Sequence, residues 1–172
     1  MSALVNPAFV RTMAGYNAEM NRRLYAAAAR IPDAGRRQDR GAFWGSLHGT
    51  LCHLVWGDLM WMARFDGWPK PATIQKGSAN MIADFDELCR VRTDTDEKIS
   101  TWAGRVTDEW LAQDMVWFSS SVQKEMRSPR SFAVTHFFNH QTHHRGQSHA
   151  LITACGEKIG DTDLFLVVEP AL

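Results

Sequence analysis

The chain of 172 residues carries 19 basic and 19 acidic side chains, so its formal net charge is zero. This balance argues against a surface that neutralises nucleic-acid phosphates or binds anionic lipid. We therefore expect a small-molecule substrate, no nucleic acid and no membrane partner. The length suits one domain over residues 1–172. The sequence contains neither a signal peptide nor an uninterrupted membrane span, and its three cysteines show no CxxC spacing, so a reducing, cytoplasmic location is expected.

Two helices are predicted in the first third of the chain. The first begins at Asn6 and Pro7, an N-cap followed by a proline at the first helical position, and ends before Pro32. Its apolar residues recur three and four positions apart, which indicates one buried helical face. The polar segment DAGRRQDRG then predicts a loop. The second helix is expected over residues 46–65, because the following DGWPKP prevents continuation.

A third helix is predicted from about residue 81 to residue 103, closed by Gly104 in a left-handed conformation. The tetrapeptide TDEW, residues 107–110, is typical of a short capped turn. The segment DMVWFSSSVQKEMRS combines β-branched and aromatic residues around a serine cluster, which predicts a short β-hairpin.

A fourth helix is expected to open at Ser128 and Pro129 and to run to Cys155, before Gly156. Four long helices with moderate connections favour an all-α fold. The predicted architecture is a four-helix bundle with a small β-hairpin between helices three and four.

Four of the seven histidines lie in FFNHQTHHRGQSH, residues 137–149 of the fourth predicted helix. At about 100° per residue, one sector of this helix holds both apolar residues and imidazoles. Its members are Phe132, His136, His140, His143, His144, Gln147 and Leu151. The apolar members predict that the sector points into the core. An unpaired buried imidazole costs roughly 1–3 kcal/mol, so this arrangement predicts a group that satisfies several of the ring nitrogens at once.

A metal ion is the simplest such group. His140 and His144 are one turn apart, so both side chains can reach a single ion. A third ligand has to come from another helix. His53, on the inward face of the second helix, is the best candidate unless it is a satisfied core histidine. His48 lies about 140° away around that helix and is a weaker candidate.

The alternative is a hydrogen-bonded histidine core, with His136 and His143 bonding across the bundle and His149 exposed. Other chemistries are disfavoured by the residues themselves. Gln141 stands where HExxH metalloproteases carry their glutamate, and neither the ExxH pairs of di-iron bundles nor a CxxCH haem signature occurs. Ser148 lies within a predicted helix, which argues against a nucleophile elbow.

Two stretches, SLHGTLCHLVWGDLMWMARFDG and FFNHQTHHRGQSHALITACG, resemble the signature stretches of the DinB/YfiT-like family of metal-dependent proteins, and MAGYNAEMNRRLY fits its first helix. The resemblance implies an up-down-down-up four-helix bundle, usually dimeric, with one divalent metal. It also implies that the metal ligands are His53, His140 and His144, and the match of HLVWGDLMW favours His53 over His48. The loop at 68–80 and the hairpin at 115–127 depart from the family pattern, so the substrate is not carried over.

The chemistry expected of such a site follows from its ligands. Three neutral imidazoles leave the ion its full charge and an open position, as in catalytic sites. Imidazole ligands suit zinc or nickel, with manganese or iron as alternatives. Family members of known activity are thiol-dependent transferases or isomerases, which implies a low-molecular-weight thiol as co-substrate and a homodimeric, transferase-like enzyme.

Two rival functions stay open at the level of the sequence. One is a hydrolase that uses metal-activated water. The other is a non-catalytic binding or stress-response module, whose metal site would be closed by a fourth ligand such as His143. No residue is assigned a catalytic role. The residues predicted to orient the ligands or the substrate are Asp58, Asn139, His143, Arg145 and Gln147. For Asp58 and Arg145, a structural salt bridge or helix cap is the alternative.

Overall fold

The computed structural model describes residues 3–119 and 122–171, and it is mostly helical with one two-stranded antiparallel sheet. The elements in chain order are α1 (Pro7–Ala29), α2 (Asp33–Arg37), α3 (Leu47–Phe65), a 3-10 helix (Gln75–Asn80), α4 (Phe85–Ala103), α5 (Asp108–Leu111), β1 (Asp114–Ser119), β2 (Lys124–Pro129), α6 (Arg130–Ala154) and α7 (Leu164–Val167). The four long helices α1, α3, α4 and α6 are the four that the sequence predicts. None of the helices in the described ranges has the length and hydropathy that crossing a bilayer requires.

Side-chain caps start four of these helices. Asn6 accepts a hydrogen bond from the amide of Phe9 at 2.8 Å, so α1 begins where the sequence predicts. Ser46, Asp84 and Thr107 cap α3, α4 and α5 in the same way. Each cap satisfies one of the amides that the first turn leaves without a partner. These starts are therefore local properties of the sequence.

Two local predictions are wrong. The first half of DAGRRQDRG is not a loop, because Asp33–Arg37 forms the short helix α2, which is supported by an Arg37–Asp33 ion pair one turn apart. Gly104 is not left-handed: its φ is −66°, and it continues the right-handed turn after α4. Left-handed glycines follow two other long helices: Gly67 after α3 at a φ of +71°, and Gly156 after α6 at a φ of +85°.

The predicted hairpin is confirmed. Strands β1 and β2 pair antiparallel, with Trp117 opposite Met126. Ser120 and Ser121 of its serine cluster lie outside the described residues. The hairpin joins α5 to α6, and β2 contacts α6. The side chain of Phe118 in β1 is exposed to solvent.

The buried face of α6 differs from the predicted sector. Phe132 is 60 % exposed, whereas Phe137, Gln141 and Ser148 are buried. The predicted sector is therefore the edge of the buried face rather than its centre. Burial of Phe137 and Phe138 sets the rotation of α6 about its own axis. With this rotation, Phe132 lies outside the buried face.

The interior consists of two apolar clusters. The Leu51 cluster includes Leu24, Leu88 and Ile152, and the Phe137 cluster includes Val10, Met62, Ile99 and Trp102. Each long helix contributes one stretch to each cluster. It also carries buried polar residues in or next to the region between these stretches, and together they form a polar layer. Its members are Asn17, Asn21, Asp58, Arg92, Asp96 and Gln141. Each long helix packs against two others: α1 and α3 each contact both α4 and α6.

Candidate metal centre

Three histidines from two helices meet at one point of the core. His53 of α3 and His140 and His144 of α6 each offer a ring nitrogen, and these nitrogens all lie within 4.8 Å of one another. The Nε2 atoms of His140 and His144 are 3.1 Å apart. Two nitrogens about 2.1 Å from one tetrahedral ion would be separated by about 3.4 Å. The predicted trio is therefore a single cluster with the spacing of shared metal ligands.

Hydrogen bonds at the far side of two rings set their orientation. Nδ1 of His53 lies 2.8 Å from the Oγ of Ser78, which is fully buried in the 3-10 helix. Nδ1 of His144 lies 2.8 Å from the Oε1 of Gln147. Since an amide oxygen only accepts, His144 carries its proton on Nδ1, and its Nε2 lone pair is free for a ligand. Partners of this kind are typical of metal-binding histidines.

The predicted orienting role of Gln147 thus agrees with its position, while Ser78 was missed. It lies in the 68–80 segment, 25 residues from His53 in sequence, and no spacing rule links the two. Only the placement of the 3-10 helix against α3 brings the hydroxyl to the imidazole.

Gly57 is the second residue that the sequence analysis missed. A Cβ atom at this position would lie 2.7 Å from Cε1 of His140. The ring of His140 therefore occupies the space that any side chain on Gly57 would fill. Its Nδ1 is buried and has no hydrogen-bond partner among the described residues. The glycine one turn after His53 in HLVWG was the available signal.

We expect Gly57→Ala to weaken metal binding by about 10–100-fold, as the loss of a group that orients a metal ligand does. The added methyl group forces the His140 ring away from the other two nitrogens. Metal affinity measured by chelator competition checks this result. Gly146→Ala on α6 is the matched control, because a Cβ there meets nothing within 4 Å. Both substitutions raise helix propensity by up to about 1 kcal/mol, so equal affinities in the two variants would contradict the clash.

Aromatic rings enclose the His53 side of the cluster. The Trp44 ring stacks on His53 with 3.8 Å between centroids, and Trp56 lies at 5.5 Å in a similar orientation. The backbone at Trp44 packs directly against α3 at Gly49. A Cβ atom on Gly49 would lie only 2.5 Å from the Trp44 carbonyl oxygen. These rings keep water from His53, which is 1 % exposed, whereas His140 remains partly exposed.

The low polarity of this environment holds the imidazoles in their neutral form. Burial, with a smaller contribution from the charge of His144, lowers the pKa of His53 from 6.5 to about 3. Burial likewise lowers the pKa of His140 to about 3, with His144 again the next cause. Burial also lowers the pKa of His144. At pH 7 all three are deprotonated, which is the state that binds metals.

We expect the metal-free protein to lose stability as the pH falls from about 6.5. The folded-state pKa values of His53 and His140 lie near 3, below their unfolded value of 6.5. Between these limits the unfolded chain binds more protons, so the free energy of unfolding decreases as the pH is lowered.

Denaturant unfolding with chelator between pH 7 and pH 5 measures this slope, above the range in which most carboxylates titrate. His53→Asn, which removes one of the titrating rings, should give a shallower slope. An identical slope in this variant would show that His53 does not contribute.

Comparison with known families agrees with this geometry. The family model described as the DinB family matches residues 1–171. The chain belongs to the DinB family. Neither a curated protein nor a solved structure is significantly similar to it.

The cluster of this DinB protein offers three candidate ligands, all histidines, within the described ranges. His143, the predicted fourth ligand of a closed site, is exposed, and its Nε2 accepts a hydrogen bond from the amide of Gln147 at 3.1 Å. Nε2 of His48 donates a hydrogen bond to the carbonyl oxygen of Ile82 at 2.8 Å, away from the cluster. The preference for His53 over His48 therefore agrees with the geometry.

The hydrogen-bonded histidine core is wrong for His136 and His143, because both are exposed rather than bonded across the bundle. The ring of His136 packs against Trp61 at 5.0 Å between centroids. His149 is partly exposed.

Three further residues predicted to orient ligands or substrate have no hydrogen bond to the cluster. Asp58 is fully buried and accepts from Arg92 and Gln141, at 2.6 and 2.8 Å. The salt-bridge alternative therefore describes its contacts in this DinB protein. Arg145 donates to the hydroxyl of Thr142 and lies over a tyrosine ring instead of contacting a ligand. Asn139 is exposed, and no hydrogen bond of its side chain occurs in the described part of the chain.

Proposed function

We propose that this DinB protein is a divalent-metal-dependent enzyme that transfers a low-molecular-weight thiol to a small electrophile, or isomerises such an adduct, at His53, His140 and His144. The carrying observation is the convergence of three neutral ring nitrogens without a fourth protein ligand among the described residues. A site with three protein ligands keeps a coordination position for substrate, as catalytic zinc sites do. Imidazole ligands favour zinc or nickel, with manganese or iron as alternatives.

A bound divalent ion would supply one property, the lowered pKa of a thiol or water molecule that it coordinates. The protein's own residues then have defined tasks. Ser78 and Gln147 orient the rings of His53 and His144. Trp44 excludes water from one side. His136 and His143 are the exposed imidazoles next to the cluster, and they are the candidates to accept the proton that leaves the thiol.

The absence of a carboxylate from the cluster favours thiol transfer over hydrolysis. A metal-dependent hydrolase of the HExxH type uses a glutamate to take the proton from water. Here the corresponding residue is Gln141, which is buried and bonded to Asp58 and Asn17. A thiol with a pKa near 8.5 needs far less assistance to ionise than water does.

The helix contacts support the proposed bundle topology. We infer an up-down-down-up four-helix bundle of α1, α3, α4 and α6. The N-terminal halves of α3 and α4 contribute residues to the Leu51 cluster, and so do the C-terminal halves of α1 and α6. The Phe137 cluster is built from the opposite halves, the C-terminal halves of α3 and α4 and the N-terminal halves of α1 and α6. This pattern supports an arrangement in which α3 and α4 run in one direction and α1 and α6 in the other.

Elemental analysis combined with two assays tests the function. Protein purified without added metal or chelator should contain about one transition metal per chain and should conjugate small thiols to an activated aryl halide. His53→Ala should lose both properties, whereas His149→Ala should keep them. Turnover of an activated ester without added thiol, abolished in His53→Ala, would instead identify a hydrolase. Metal without either activity would favour the non-catalytic module.

We also propose a homodimer, in keeping with the family resemblance. The exposed Phe118 and Phe132 offer apolar surface for such a contact. Light scattering should then report twice the chain mass of 19.4 kDa. A cytoplasmic location stays a prediction.

A further inference from the structure

A second site that contains a buried charged residue, Arg145, lies between α1 and α6, on the other side of α6 from the histidine cluster. It is a cavity of about 130 Å³. Tyr16 and Leu24 of α1, Thr142, Arg145 and His149 of α6, and Ile159 of the C-terminal segment line it. At about 30 Å³ for each water molecule, the cavity has room for about four waters.

Arg145 is the unusual member of this lining. It is only 5 % exposed, and its Nη1 is buried without any hydrogen-bond partner among the described residues. Its Nη2 donates to the hydroxyl of Thr142 at 3.2 Å. Within residues 3–119 and 122–171, no ion pair joins Arg145 to a carboxylate. The other deeply buried arginine, Arg92, contrasts with it by bonding two aspartates.

Arg145 is nevertheless a cation at neutral pH. A guanidinium group stays protonated in proteins, even when it is buried. The guanidinium carbon lies 5.3 Å from the centre of the Tyr16 ring, which provides a partial cation–π contact. This contact satisfies none of the N–H groups. Burying a cation without a counter-charge destabilises the folded protein, so a bound anion would stabilise this arrangement.

We propose that the α1–α6 cavity binds a small oxyanion or carboxylate, with Arg145 as the cationic donor. The planar guanidinium offers parallel N–H groups that match both phosphate and carboxylate oxygens. His149 lines the same cavity, is partly exposed and has no hydrogen bond in the described structure, so its ring can provide a second donor. The hydroxyl of Tyr16 is committed elsewhere, since it donates to the carbonyl of Thr162 at 2.6 Å.

The charges at the rim do not close this site to anions. Asp161 and Asp163, on either side of Thr162, are exposed to solvent, where water screens them. Arg23 donates to the carbonyl of Asp161 and also forms an ion pair with Glu19 at 2.7 Å. Arg145 follows His144 in sequence but contacts α1, whereas His144 packs against His53 of α3. The anion site therefore does not depend on the proposed enzymatic function.

Thermal unfolding and calorimetric titration with inorganic phosphate and with acetate test the proposal, against sodium chloride at equal ionic strength. We expect a saturable rise in Tm with at least one of the two anions. The preferred anion distinguishes a phosphate-type ligand from a carboxylate. His149→Ala should weaken that binding roughly tenfold, the value of a hydrogen bond to a charged group. Arg145→Lys, which keeps the charge but loses the fork, should weaken it at least as much.

Arg90→Met is the control, because Arg90 is an exposed arginine that forms an ion pair with Glu87, outside the cavity. It should bind the anion as the wild-type protein does. Metal content should be unchanged in His149→Ala. If Arg145→Lys fails to fold, the His149→Ala titration decides alone. The proposal is overturned if neither anion raises Tm beyond the chloride effect, or if His149→Ala binds the anion with unchanged affinity.

Discussion

His140→Ala is expected to abolish stoichiometric metal binding and to weaken metal affinity more than about 100-fold, since loss of an outer partner alone costs about 10–100-fold. The substitution removes a ring nitrogen that lies 3.1 Å from Nε2 of His144 and within 4.8 Å of the ligand atom of His53. Two histidines are left to hold the ion, which is fewer than catalytic sites provide. Elemental analysis and chelator competition measure the loss.

His149→Ala is the matched control on the same helix, outside the cluster. It should retain about one metal per chain. In the presence of metal, the melting temperature of His140→Ala should fall below that of His149→Ala, because a ligand that binds only the folded state stabilises it. Unchanged metal content in His140→Ala would show that the α6 pair is misassigned.

Arg92→Met is expected to lower the free energy of unfolding by about 3–5 kcal/mol, the cost of removing one partner from a buried ion pair. Arg92 donates to Asp58 at 2.6 Å and to Asp96 at 2.7 Å, and all three side chains are buried. Burial opposes the charge of Arg92, but Asp96 and Asp58 outweigh it and raise the pKa of Arg92. Methionine would leave both carboxylates without their counter-charge.

The loss is large because the polar layer joins all four long helices. Asn21 of α1 donates to Asp96 of α4, and Gln141 of α6 donates to Asp58 of α3. A domain of this kind is stable by about 5–15 kcal/mol in total, so the variant approaches the threshold for folding. Denaturant unfolding checks the value.

Arg90→Met provides the comparison on the same helix. Arg90 and Glu87 form an exposed ion pair, and such pairs contribute little because water and salt screen them. We expect no measurable change in this variant. Equal stabilities of Arg90→Met and Arg92→Met would contradict the importance of the layer.

Because Asp58 follows Gly57 and Gln141 follows His140, Arg92→Met should also weaken metal binding.

The polar layer and the histidine cluster are therefore neighbours along both helices. Gln141, which replaces the glutamate of HExxH proteins, belongs to the layer rather than to the cluster. This placement explains how one helix face serves both structure and chemistry. It also predicts that His140 is held rigidly, since Gln141 next to it is fixed by buried hydrogen bonds.

Local sequence determined the four long helices and the hairpin, because their signals act within a few residues. Asn6 and Ser46 form caps with amides three positions on, and apolar residues three and four positions apart indicate a helix. The one-turn separation of His140 and His144 likewise makes them a pair on any helix. The inward face of the second predicted helix offered His53 as the third ligand, and the resemblance to the DinB family favoured it over His48. The cluster has this composition.

Only the tertiary structure decided the rest of the site. Ser78 contacts His53 because the 3-10 helix packs on α3, and Gly57 matters because a neighbouring helix brings His140 to its Cα. The buried face of α6 turned away from Phe132 because Phe137 and Phe138 pack better. The unpaired Nη1 of Arg145 also depends on what α1 places opposite it. Such distances join residues far apart in sequence, so no periodicity encodes them, and the packing of whole helices sets them.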